Sequence, residues 1–109
     1  MTSITIPDSV KSIGKHAFDW CFELASIAIP DSVSSIGDRA FSECFALKYI
    51  TIGNGVKSIG KNAFWACRAL TSITFQGTIA QWEEIELGFC WSKDISTSVI
   101  HCTDGDVKL

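Results

Sequence analysis

Several ordinary signals are missing from these 109 residues. No apolar run approaches the ~20 residues of a membrane-spanning helix. The N-terminal "MTSITIPDSV" has neither the charged start nor the apolar stretch of a secretory signal. Charge is sparse, a formal net −3 scattered along the chain. The basic stripe that nucleic-acid binding requires is absent, which argues against that class of partner. No C-x-x-C pair, phosphate-binding glycine loop, nucleophile elbow or N-x-[ST] acceptor occurs. What the chain does have is apolar content, 47% of its residues, ample for the core of a single domain spanning residues 1–109.

It also repeats itself. "SIGKHAF" at 12–18 returns as "SIGDRAF" at 35–41 and "SIGKNAF" at 58–64. The repeats span 3–25, 26–48 and 49–71 and share the skeleton x-I-x-I-P-D-S-V-x-S-I-G-x-x-A-F-x-x-C-x-x-[LA]-x. The I-x-I pairs have strand alternation and β-branched side chains, so both isoleucines face inward. Pro7 and Pro30 end the strand because proline cannot donate to a ladder. Asp-Ser, or Asn54-Gly55 through its tolerance of positive φ, makes the turn. A second extended stretch, V-x-S-I, points its valine and second isoleucine inward. Gly14, Gly37 and Gly60 mark a corner whose conformation glycine adopts cheaply. A-F-x-x-C-x-x-L places apolar residues at helical spacing and predicts a short helical turn that packs Phe18, Phe41 and Phe64 onto the stack. One repeat is one coil of a solenoid; stacked neighbours bury what it cannot bury alone.

Beyond residue 71 the same period predicts an altered coil. Ile73 and Phe75 take the I-x-I slots, Ile79 the valine slot and Trp82 the second isoleucine slot. Glu83 falls at the glycine corner, Leu87 at the phenylalanine slot and Cys90 at the cysteine slot. Ile79, Trp82 and Ile85 are spaced like one face of a helix. A four-residue slip after Cys90 then lets Ile100-His101-Cys102 return as a strand, followed by a turn at Thr103-Asp104-Gly105. The expected fold is therefore a β-rich repeat solenoid with short helical turns: three regular coils, one degenerate coil, and a capping strand within 72–109. End coils are atypical because they present a wet face.

L-x-x-I-x-I, seen at Leu24-Ile27-Ile29, Leu47-Ile50-Ile52 and Leu70-Ile73-Phe75, resembles the leucine-rich-repeat strand signature. The full unit, with I-P-D-S-V, S-I-G and A-F-x-x-C, is similar to the BspA-like leucine-rich repeats. "GTIAQWEEIELG…W…IHCTDGDV" is similar to the C-terminal end of such arrays. The resemblance implies a right-handed coil stack and a bacterial cell-surface or secreted parent. It also implies adhesion or protein binding as the activity, and it brings no catalytic residues.

The candidate chemistry reads as structural. Cys21, Cys44, Cys67 and Cys90 recur once per coil at an inward slot, where cysteine serves as a small hydrophobe. Five cysteines cannot all pair, and free core thiols are expected over a bridge between neighbouring coils or a metal site. His101 and Cys102 face opposite ways on a strand, so they cannot form a catalytic pair. Glu83, Glu84 and Glu86 read as a solvated face, and His16 as variable surface. The expectation is a non-enzyme with no metal and no cofactor.

Function is then expected in the outward slots. Thr5, Ala28, Thr51, Thr74 and His101 form one outward row on the strand face, with Tyr49 beside it as the aromatic anchor. Trp20, Phe22, Phe45 and Trp65 lie on a rival edge, where Trp20 and Trp65 are the candidate contacts. The expected partner is a protein or extended peptide laid across the coils, a host protein among the candidates. Nucleic acid and membrane insertion are not expected. The open first coil invites self-association through its uncovered edge. The alternative is a structural spacer or cap without a ligand.

Overall fold

The computed structural model describes residues 2–109; residue 1, at the edge of the predicted domain, lies outside the described residues. Strands β1 (Thr2–Thr5), β3 (Leu24–Ile29), β5 (Tyr49–Ile52), β7 (Ser72–Phe75) and β9 (Val99–Cys102) stack in chain order, all parallel. Shorter strands β2 (Ser12–Ile13), β4 (Ser35–Ile36), β6 (Ser58–Ile59) and β8 (Glu86–Leu87) form a second parallel sheet. The register keeps the repeat: Ile27 pairs with Ile50, Ile50 with Ile73, and Ile73 with Ile100. Ile27, Ile29, Ile50, Ile52, Ile73 and Phe75 are all buried, as are Val33, Val56, Ile36 and Ile59 from the second sheet. The alternation expected from I-x-I and V-x-S-I is therefore realised. The first coil differs: Ile4, Ile6, Val10 and Phe18 are only partly buried.

Three local expectations are corrected. The A-F-x-x-C stretch is not helical. His16, Arg39 and Asn62 have φ of 58°, 56° and 57°, and Trp20, Glu43 and Ala66 have φ of 63°, 58° and 60°. Left-handed residues at that interval break a right-handed helical path. Alternate amides turn outward instead: His16, Phe18 and Trp20 donate to the carbonyls of Asp38, Ala40 and Ser42 in the next coil. Arg39, Phe41 and Glu43 do the same to Lys61, Ala63 and Trp65. A third hydrogen-bonded ladder results, with the phenylalanines inside it. Phe18, Phe41 and Phe64 stack at 5.2 and 5.1 Å with rings tilted by only 8° and 3°.

The glycines are the second correction. Gly105 is the glycine with positive φ, 149°; Gly14, Gly37 and Gly60 do not have it, nor does Asn54-Gly55. Glycine is required at the corner by close approach of neighbouring coils. A Cβ on Gly37 would lie 2.6 Å from the Lys15 nitrogen and 2.7 Å from the Gly14 carbonyl carbon.

The third correction concerns the altered coil. Helix α1 (Ile79–Glu83) is inserted ahead of β8, with Thr78 and Gln81 forming a reciprocal capping box. Leu87 therefore pairs with Ile59, which gives it the second isoleucine slot rather than the phenylalanine slot. Gly88, not Glu83, occupies the glycine corner, because its amide donates to Ile59 as that of Gly60 donates to Ile36. Cys90 takes the left-handed position of Asn62, with φ 57°, and leaves the cysteine slot. Trp82 moves inside, not as a strand residue but from the helix, and packs between Phe75 at 5.4 Å and Trp91 at 5.6 Å. Ile100-His101-Cys102 is the expected strand. It is followed by an antiparallel partner, β10 (Gly105–Lys108), which turns the end into a hairpin.

Candidate functional site

The strand row forms as read. Thr5 pairs with Ala28, Ala28 with Thr51, Thr51 with Thr74, and Thr74 with His101, in one line across five strands. Thr5 and His101 are exposed, while Thr51 and Thr74 are half-buried. The His101 ring nitrogen Nδ1 lies 3.0 Å from the Asp106 carboxylate on β10, which the sequence reading did not foresee. Tyr49 stands beside the row, level with Ser26 and Ser72, and is 58% exposed.

The rival edge divides. Trp20, Phe22 and Phe45 gather into an exposed cluster. The rings of Phe22 and Phe45 stack at 5.6 Å with a 7° tilt, and Trp20 meets both edge-on at 5.4 and 6.4 Å. Trp65 stands apart from this cluster, half-buried, with the Arg39 guanidinium 5.9 Å from its ring. Simple period arithmetic explains the column: positions 22, 45 and 68 are one slot in three coils. Arg68 accordingly lies over Phe45, 6.0 Å from the ring centre, a cation–π arrangement. That column was legible in the sequence and was missed because Arg68 is not aromatic.

The structure also joins the two candidate regions. An open groove of about 790 Å³ runs between Phe22, Phe45 and Tyr49, with Glu23 and Lys48 on its walls and Ala46 and Ala69 within it. A shallower depression of about 260 Å³ continues past Tyr49 along Ser26, Ala28, Thr51 and Thr5. Tyr49 belongs to both. Aromatic rings, small side chains and opposed charges along one open groove suit an extended segment held by packing.

The thiols of Cys44 and Cys67 donate to the carbonyls of Phe18 and Phe41, at 3.0 and 2.9 Å, so each cysteine caps the preceding coil's phenylalanine. The neighbouring Cys44 sulfur and burial together push the Cys67 thiol far above its ordinary range. Burial raises Cys21 and Cys102 as well, with Cys44 and Asp19 adding to the first and Asp104 and Asp106 to the second. All five cysteines are free. Glu83, Glu84 and Glu86 are exposed. Among the described residues no cluster of three or more His, Cys, Asp or Glu could hold a metal ion, and no helix is long and apolar enough to cross a membrane.

Residues 1–103 match the family described as BspA type Leucine rich repeat region (6 copies). The chain belongs to that family. The coil stack is similar to a leucine-rich repeat protein from Bacteroides capillosus, with 25% identity and a TM-score of 0.75. That likeness covers 92% of this chain and 75% of the other. A leucine rich cell surface protein from Faecalibacterium prausnitzii is 28% identical, with a TM-score of 0.47 over 77% of this chain and 34% of its own. A search of curated proteins returns no match. The BspA-type repeat is a bacterial repeat fold of a kind generally used for protein interaction and generally not enzymatic.

Proposed function

We propose that this domain is a non-catalytic protein-binding module of a bacterial cell-surface or secreted protein, and that it holds an extended segment of its partner across successive coils. The observation that supports this most is the exposure of four large aromatic rings in one place. Trp20, Phe22, Phe45 and Tyr49 are 54, 51, 40 and 58% exposed; the last three line a groove continuous with the strand row, and Trp20 packs on Phe22 and Phe45. Exposed apolar patches of this kind mark interaction sites on soluble proteins, and Trp and Tyr are favoured among binding hot spots. The groove lies open on the flank of a solenoid, an architecture that presents an extended surface to its partners.

The test is binding of peptides selected by broad display against residues 1–109. Tyr49→Ala and Phe45→Ala each lower affinity at least tenfold, about 1.4 kcal/mol, with the melting curve unchanged. Raising salt changes affinity little, because packing rather than charge carries it. Trp65→Ala leaves binding intact. Retained binding in both groove variants rejects the site. Recovery of no binder from the display favours the spacer reading.

A further inference from the structure

The groove between Tyr49 and the Phe22–Phe45 column crosses three coils, over a backbone with few groups to spare. Strands β3, β5 and β7 each pair on both sides. At the groove wall the Ala25 carbonyl accepts from the Lys48 amide, and the Lys48 carbonyl accepts from the Thr71 and Ser72 amides. A segment lying across the coils therefore finds no strand edge to pair with. In a strand conformation it would turn amides toward a surface that does not accept them, and an unmade hydrogen bond is costly once water is excluded. A helix satisfies its own backbone, but the groove is short. Two coil spacings of ~4.8 Å make it roughly 10 Å long, fewer than two helical turns at ~5.4 Å each. So short a helix has to be ordered as it binds. A polyproline helix has no amide hydrogen at its prolines, keeps its carbonyls in water and is extended before it binds. One of its turns rises roughly 9 Å, so the same face returns every second coil.

The side chains suit the same occupant. The Phe22–Phe45 pair, with rings 5.6 Å apart, and Tyr49 share the groove with the small Ser26, Ala46 and Ala69. Aromatic-lined grooves of this make-up are what proline-rich segments dock into. Tyr49 and Trp20 are exposed, and each brings a donor, a hydroxyl and an indole N–H, for the carbonyls of such a segment. Charge supplies a direction. Glu23 is exposed in the repeat 3–25, Lys48 in 26–48 and Arg68 in 49–71, where the guanidinium lies 6.0 Å from the Phe45 ring centre. An acid thus stands toward one end of the groove and two cations toward the other. We propose that the groove takes a proline-rich segment in the polyproline conformation, with a basic residue at the Glu23 end and an acidic one at the Arg68 end. This rests on the binding reading above and adds the class of segment that the groove selects.

Calorimetric titration of residues 1–109 with a capped hexaproline flanked by one Arg and one Asp, in both orders, tests this. Control peptides keep the flanks and replace the prolines by Thr-Val alternation, which favours a strand, or by Ala-Leu alternation, which favours a helix. The better proline peptide binds about tenfold tighter than either control. Tyr49→Ala and Phe45→Ala each remove that advantage with the melting curve unchanged. One flank order binds about threefold tighter than the other, as expected of exposed charge pairs, and Glu23→Lys combined with Arg68→Glu reverses the preference. Proline peptides no tighter than the controls, while displayed peptides still depend on Tyr49 and Phe45, overturn this inference and leave the binding reading standing. Failure of every peptide to bind removes both. Proline binding that survives both groove variants overturns the proposal, as does an order preference that is absent or unmoved by the charge reversal.

Discussion

Gly14 and Gly37 occupy the same slot in successive coils and have opposite surroundings. The backbone conformation at both is open to any residue, so the difference lies in the neighbour. Gly37→Ala drives a Cβ into the Lys15 and Gly14 backbone and destabilises the fold by more than about 1 kcal/mol. Gly14→Ala meets open space and stabilises it by about 0.4–1 kcal/mol through the unfolded chain. Urea melts of the two variants decide between contact and conformation: equal effects would restore the conformational explanation. The cysteines make a second residue-scale case. Cys44 and Cys67 are fully buried and donate to carbonyls, so a reagent in solution does not reach their sulfurs. A raised pKa keeps a thiol protonated below it, so reaction at Cys21, Cys67 and Cys102 speeds up only at more alkaline pH than for an ordinary cysteine. Thiol labelling of the native chain leaves Cys44 and Cys67 unmodified, and labelling after denaturation without reductant reaches all five. A denatured count of three or one would reveal a bridge.

Elements were legible in the sequence where one coil's own residues decide them. I-x-I and V-x-S-I alternate, so strands and their inward faces follow directly. The A-F-x-x-C segment was not legible as a turn ladder, because its apolar spacing suits a helix equally well. Its conformation is set by amides that bond to a coil 23 positions away in the sequence, and the left-handed residues His16, Arg39 and Asn62 share no type that announces it. Helix α1 was readable from Ile79, Trp82 and Ile85, yet its insertion moved every later slot of that coil. The ring stack is the element that holds the turn face together. Phe41 is fully buried between Phe18 and Phe64, so Phe41→Ala costs about 3–5 kcal/mol by lost burial and the cavity left behind. Phe18→Ala costs clearly less, since its outer side is only partly covered. Equal losses in denaturant melts would show that the stack does not run inward from an open end.

At the scale of the whole molecule, on the proposed reading, the lateral surface is where a partner lies. The strand row and Tyr49 were legible, since alternation and register place them. The groove was not, because it needed Tyr49 to reach the Phe22–Phe45 column from the sheet, which no spacing in the sequence announces. The most direct measurement of the central claim is amide chemical-shift mapping of residues 1–109 with the strongest peptide recovered by display. The account predicts perturbations at Phe22, Phe45, Arg68 and Tyr49 that continue along Thr51 and Thr74, with none at Asn62 or Trp65. Perturbations confined to the coil ends or to the Asn62 side of the turn ladder would contradict it.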